Sequence, residues 1–122
     1  TSPADNLLTN SKTITVAGAA TTAVAGVTIS KVVIKVDSGT AEPVTLGANG
    51  SFSKAITLAT DGRHTITIIA TDSLGKTTQV VRNVTIDTTK PVITDIKASA
   101  TTVDAGGQIV FTFKVTDPVA NV

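Results

Sequence analysis

The chain of 122 residues contains no cysteine, methionine, tryptophan or tyrosine, three phenylalanines, and one histidine. Without cysteine there is no disulfide framework. Zero Cys does not assign a compartment, because an aliphatic sandwich of about ninety residues holds itself without disulfides. Without Trp or Tyr there is no flat aromatic platform with a polar edge, the usual basis of sugar recognition. Lys and Arg number 10 against 9 acids, a net charge of +1. The basic residues are scattered singly, so nothing neutralises a phosphate backbone and nucleic acid is not expected as a partner. Apolar runs are a few residues long, far short of a membrane span, and no membrane insertion is expected.

What is present is strand-forming. Hydrophobic residues make up 41% of the chain, enough for a core, and nearly all are Val, Ile, Leu and Ala. Thr is roughly one residue in five. β-Branched side chains are stiff at χ1 and suit a pleated, half-buried surface. The most regular stretch is Arg63–Lys76. Ile66, Ile68 and Ala70 share one face of an extended chain, and Thr65, Thr67 and Thr71 the other. A period of two marks a half-buried strand. It ends at Asp72-Ser73-Leu74-Gly75, where Asp can accept from its own backbone and Gly can take positive φ.

In order, residues 1–11 read as polar and irregular, with Leu7 and Leu8 available to dock. Lys12–Gly18 is a strand with Ile14 and Val16 inward, and the small-residue run Ala19–Gly26 a loop or short edge strand. Val27–Asp37 is a strand with Val32, Ile34 and Val36 on one face. Asp37–Thr40 is a turn, and Val44–Leu46 a short strand. Asn49-Gly50 predicts a type I′ hairpin into Ser51–Leu58, with Phe52, Ile56 and Leu58 inward. Lys76–Asp87 closes the unit with Val80, Val84 and Ile86 inward. Lys54 and Arg82 fall on inward positions of their strands, which predicts an edge or a bulge at each. About seven strands in ninety residues, with regular turn signals, predict an all-β sandwich.

Several pieces resemble the bacterial immunoglobulin-like domains repeated in surface, adhesin-like and large secreted proteins. They are Ile14-Thr15-Val16-Ala17-Gly18, Asn49-Gly50-Ser51-Phe52-Ser53, Leu58, Val84-Thr85-Ile86-Asp87 and, above all, Ala70-Thr71-Asp72-Ser73-Leu74-Gly75-Lys76. The last is similar to an Ala-Thr-Asp-x-x-Gly-Asn turn. The resemblance covers roughly residues 8–91 and departs at Lys76, where the family usually has Asn, and in the insert Ala19–Gly26. It implies an immunoglobulin-like antiparallel β-sandwich. It also makes Asp87-Thr88-Thr89-Lys90-Pro91 an interdomain joint.

Two domains are therefore expected: residues 1–90 as the sandwich and 91–122 as a linker with the first strands of a second, truncated repeat. In the second, Val92–Ala98 and Gln108–Thr116 are strands separated by the turn Thr101–Gly107, and Ile109, Phe111, Phe113 and Val115 alternate strictly. Left in water these four would forgo roughly 1.5–3 kcal/mol each. Cover is expected against residues 12–90 or in a homodimer through residues 108–116. The opening Thr1-Ser2-Pro3, without Met, reads as a piece of a longer polypeptide.

Chemistry has little to work with. His64 reads as a partly exposed strand-edge histidine, since a triad needs Ser and Asp converging on it. Glu42 is the only Glu, and the eight Asp sit mainly at turns. Asp72, Asp87 and Asp117, at strand ends, are the candidate calcium ligands at a joint. They lack the closely spaced carboxylates that calcium prefers, so no metal or other cofactor is assigned. Phe52, Phe111 and Phe113 read as core, which leaves no sugar site. The expected function is a non-catalytic spacer or stalk module at the bacterial cell surface, with neighbouring domains of the same polypeptide as partners. The alternative is an accessory module of a secreted polysaccharide-degrading enzyme.

Overall fold

The structure, a computed structural model, describes residues 1–119. Among the described residues nine strands run in chain order: β1 (Leu7–Thr9), β2 (Thr13–Ala19), β3 (Ile29–Val36), β4 (Glu42–Val44), β5 (Ser51–Thr57), β6 (Gly62–Asp72), β7 (Thr77–Ile86), β8 (Val92–Ala98) and β9 (Phe111–Thr116). The chain divides into two compact units, Thr1–Thr88 and a second beginning at Thr89. The last three positions of the expected second domain, 120–122, lie outside the described residues.

The first unit is an immunoglobulin-like β-sandwich. One sheet has the order β1-β7-β6-β3-β4, and β2 pairs with β5 in the other. β6 is central, paired along its length to β3 and β7. Its inward residues Ile66 and Ile68 meet Val32 and Ile34 of β3, Val84 and Ile86 of β7, and Ile14, Val16, Phe52 and Leu58 from the facing side, all buried in one cluster. The alternation in the sequence carries this arrangement, because a register slip of one residue would turn each apolar set outward.

The strands and turns of this unit depart from the sequence reading in four places. Residues 1–11 are not irregular. Pro3 is buried, Ser2 bridges to Ala17 of β2, and β1 pairs in parallel with β7, Leu7 opposite Val84. Leu7 packs on the core while Leu8 is exposed. In β3 a register shift between Ile29 and Lys31 inserts one residue and brings Ile29 against the core, where strict alternation would point it out. β4 begins two residues earlier than expected, because Glu42 and Pro43 pair with Ile34 and Val33 of β3. An edge strand tolerates proline, which cannot donate to a ladder.

The fourth concerns Asn49-Gly50. Both residues have positive φ, 55° and 69°, as a type I′ turn requires. However, β4 belongs to one sheet and β5 to the other, so the turn carries the chain between layers and makes no hairpin. Lys54 and Arg82 lie on strand edges without bulges. β5 has β2 as its one partner, and β1 covers β7 only at Val84–Ile86. Lys54 turns its ammonium to Glu42, 2.6 Å away, and Arg82 donates to the Val81 carbonyl at 3.0 Å.

In the second unit β8 and β9 pair antiparallel. Phe111 and Phe113 are 65% and 61% exposed, so the reading of these two rings as core is corrected; Phe52 alone of the three is buried.

Two glycines with positive φ separate strain from clash. Gly75 (φ 80°) has open space where a Cβ would stand, whereas a Cβ on Gly50 (φ 69°) would land on the Ala20 carbonyl, held close by the Ala20 N–H bond to Gly50 O at 3.0 Å. Gly75→Ala should cost about 1 kcal/mol of left-handed strain. Gly50→Ala should cost well over twice that, or prevent folding. Urea denaturation of the two variants checks the ranking, and equal losses would contradict the close approach.

Candidate functional site

The densest polar cluster lies at the end of the first unit where β3 leaves and β6 begins. His64 occupies an inward position of β6, on the same parity as Ile66 and Ile68, and is 8% exposed. Its Nδ1–H donates to Asp37 Oδ2 at 2.8 Å, and its Nε2–H donates to the Thr60 carbonyl at 2.9 Å. Asp37, held at φ 49° in the turn after β3, accepts the Thr65 N–H on its other oxygen at 2.7 Å. A carbonyl only accepts, and an ionised carboxylate only accepts. With both bonds made, both ring nitrogens carry protons, so this arrangement favours the imidazolium form of His64.

The charges follow. The hydrogen bond that His64 donates to Asp37, then the one it donates to the Thr60 carbonyl, hold His64 above the ordinary imidazole value, against burial. Burial alone would raise Asp37, but the Thr65 N–H and the His64 ring outweigh it and leave the carboxyl below its ordinary value. The expectation of a partly exposed edge histidine is thus corrected: His64 is buried on a central strand. The signal was present, since the parity that sends Ile66 inward also sends His64.

The next residue along extends the cluster. Asp61 accepts from Thr88 N–H and Thr88 Oγ1–H, each at 2.8 Å, and pairs with Lys12 at 3.6 Å. Asp5 does similar work beside β7, accepting from the Asn83 N–H at 2.9 Å and its Nδ2–H at 3.2 Å. The Asn83 backbone bond and, after it, its side-chain bond lower the Asp5 carboxyl in spite of desolvation. Chemically these are clamps. The His64–Asp37 pair has the spacing of an orienting acid and a base, yet the nitrogen that would face a nucleophile is taken by Thr60. The Thr60 hydroxyl stands 3.4 Å from Nε2, on the same loop that fixes the ring.

The calcium candidates Asp72 and Asp87 belong to the first unit and Asp117 to the second. Asp72 and Asp87 flank opposite ends of the ten-residue β7, roughly 30 Å apart at strand rise. Asp72 Oδ1 accepts from the Leu74 and Lys76 N–H groups, both at 2.9 Å, and so closes its own turn; the Lys76 side chain has no part in that closure. Asp87 N–H donates to the Thr9 carbonyl at 3.0 Å, and Asp117 Oδ1 accepts from Val119 N–H at 3.1 Å. Among the described residues no three His, Cys, Asp or Glu side chains gather to hold a metal.

Two clefts open on the first unit. One of about 510 Å³ lies at the end where β6 stops, with Phe52, Ile68 and Val80 below and Thr21, Thr22, Thr77 and Thr78 around its mouth. The other, about 420 Å³, runs between β3–β4 and β5, and Lys54–Glu42 spans it. The Lys54 hydrogen bond is the main cause that lowers the Glu42 carboxyl. Neither cleft presents an exposed ring, and neither gathers convergent acids.

The clamp has a pH window. A group whose pKa rises on folding stabilises fully below its unfolded value and loses that contribution as pH climbs through the folded one; a lowered carboxylate behaves in reverse. The His64–Asp37 contribution is complete between the ordinary values of 3.8 and 6.5. It weakens below as Asp37 protonates and above as His64 loses its proton. His64→Ala should lower stability by about 2 kcal/mol near pH 6. Thermal melts should show the wild type losing stability toward pH 9 while the variant stays flat over that range. A parallel decline in both would contradict the imidazolium.

No curated protein and no solved structure gives a significant match to the chain. The family described as "Glucodextranase, domain B" matches residues 1–88, the whole of the first compact unit, and the chain belongs to that family.

Proposed function

We propose that the first unit is a non-catalytic accessory module of a secreted, polysaccharide-degrading enzyme, and that it contributes position and spacing to neighbouring domains of the same polypeptide. The observation that carries this reading is the family match over residues 1–88, whose name is that of one domain of a glucan-acting enzyme. The polar chemistry agrees with it. His64, Asp37, Asp61 and Asp72 all bind backbone groups of their own unit, which stiffens loops and leaves no group aimed at a substrate.

An extracellular setting fits the enzyme family. Among the described residues no helix is long and apolar enough to cross a membrane. The spacer or stalk of a bacterial surface protein is the second reading, favoured by one feature: a strand pair starts again directly after the first sandwich, at Val92. The family match weighs toward the enzyme module.

Two measurements test the proposal. Residues 1–122 should release no reducing ends from α-glucans and should migrate unretarded through a native gel containing them; hydrolysis or retardation would overturn a purely positional role. In the parent reading frame a glycoside hydrolase domain is expected in the same polypeptide. Tandem copies of this sandwich with no hydrolase would replace the accessory reading with the stalk.

A further inference from the structure

Lys54 and Arg82 hold equivalent places in the two sheets of the first unit. Each lies on the inward row of its strand, between apolar residues of the same parity: Phe52 and Ile56 flank Lys54, and Val80 and Val84 flank Arg82. Each also stands opposite a residue with no exposure at all, Lys54 opposite Val16 and Arg82 opposite Ile66. Two positions that the pattern assigns to the core are therefore occupied by cations.

Both strands have an open side. Among the described residues β5 pairs with β2 alone. The Leu58 N–H bonds to Lys12 O and the Gly50 carbonyl to Ala20 N–H, so even-numbered residues of β5 face β2. Ser53, Ala55 and Thr57 then direct their main-chain groups away from it. On β7, β1 covers only Val84–Ile86 and leaves residues 77–83 beside no strand but β6. The other edges are short or closed. β4 has three residues, one of them Pro43, which has no N–H to offer, and Ser2 exchanges both main-chain bonds with Ala17 along β2.

The charged heads leave the core through these open sides. Lys54 Nζ reaches Glu42 Oε2 at 2.6 Å and the Pro43 carbonyl at 3.5 Å, so it crosses from the sheet of β5 to β4 in the other. On β7, Asp5 accepts the Asn83 N–H at 2.9 Å. Val81 shares the parity of Asn83, and the Arg82 guanidinium donates to its carbonyl at 3.0 Å. A strand laid along either edge would cover a cation and strip it of water. That desolvation outweighs the small net return of a few main-chain hydrogen bonds. An inward-pointing charge on an edge strand is a known way to keep such an edge from pairing.

We infer that Lys54 and Arg82 guard the open edges of the first unit, and that the strand they exclude is the matching strand of a second copy. β5 is the edge most in need of a guard. Two copies of it paired antiparallel would join their inward rows, Phe52 and Ile56 included, into one continuous sheet. Such a guard serves the unit equally in an enzyme or in a stalk.

Light scattering of Lys54→Val in residues 1–122, beside the wild type at matched concentrations up to about 500 μM, tests the inference in the range where weak contacts populate. The mass of the variant should rise to at least about twice that of the wild type, as pairing with a second copy requires. Its thermal midpoint should be no lower, because valine completes the inward row. Lys54→Met, which keeps the stem and drops the charge, should behave alike. Lys35→Val removes the same charge from the outward face of β3, and Glu42→Gln unpairs Lys54 while leaving it charged. Both should keep the wild-type mass. Position-54 variants that stay at the wild-type mass overturn the inference, and so does a rise in mass shared by Lys35→Val or Glu42→Gln. Loss of folding in both position-54 variants would make the ammonium a structural tie between the sheets and overturn it as well.

Discussion

The structure of the first unit depends on the two-sided pairing of β6 combined with its alternation. Hydrogen bonds to β3 and β7 fix the strand in register, and that register sends Ile66 and Ile68 to the facing sheet. The pairing cannot slip by one residue without exposing the inner apolar set of three strands at once. The facing layer is only β2 and β5, yet Ile14, Val16, Phe52 and Leu58 are enough to close it, because every strand of the larger sheet except the short edge strands supplies two fully inward aliphatic residues.

The same parity explains the polar end of the sandwich. Where the inward row of β6 reaches the turn, the next inward residue is His64. A buried imidazole beside an ionised acid and a carbonyl is stable only if charged and fully hydrogen-bonded, and Asp37 and Thr60 meet that demand. The neighbouring Asp61 holds Thr88, the last residue of the unit. A network that satisfies itself in this way stiffens loops and offers nothing to a ligand. That agrees with the proposal of a module that contributes position to its neighbours.

Legibility followed period and length. β2, β3, β6, β7 and β8 are readable because each runs for seven residues or more. β1 was not, since three residues in a parallel edge pairing carry too few alternations to stand out from a polar terminus. The Asn49-Gly50 dipeptide reported its own backbone angles correctly but could not report which sheet its strands join, a property of the whole fold. The bulges in β3 and β8 are single insertions that look like ordinary alternation until the partner strand is known. His64 was legible in its parity and missed because histidine is usually at least partly exposed. Phe111 and Phe113 show the converse. Their spacing identified the strand and its apolar side, while burial depends on a covering layer that a strand's own sequence does not contain.

The central claim is that residues 1–88 hold a complete core. Urea denaturation of a chain ending at Thr88, compared with residues 1–122, tests it most directly. One cooperative transition is expected in the short chain, with the same midpoint as the sandwich transition of the long one. A short chain that is unfolded, or that loses cooperativity, would mean that the strands beyond Thr88 belong to the first core and would contradict the account.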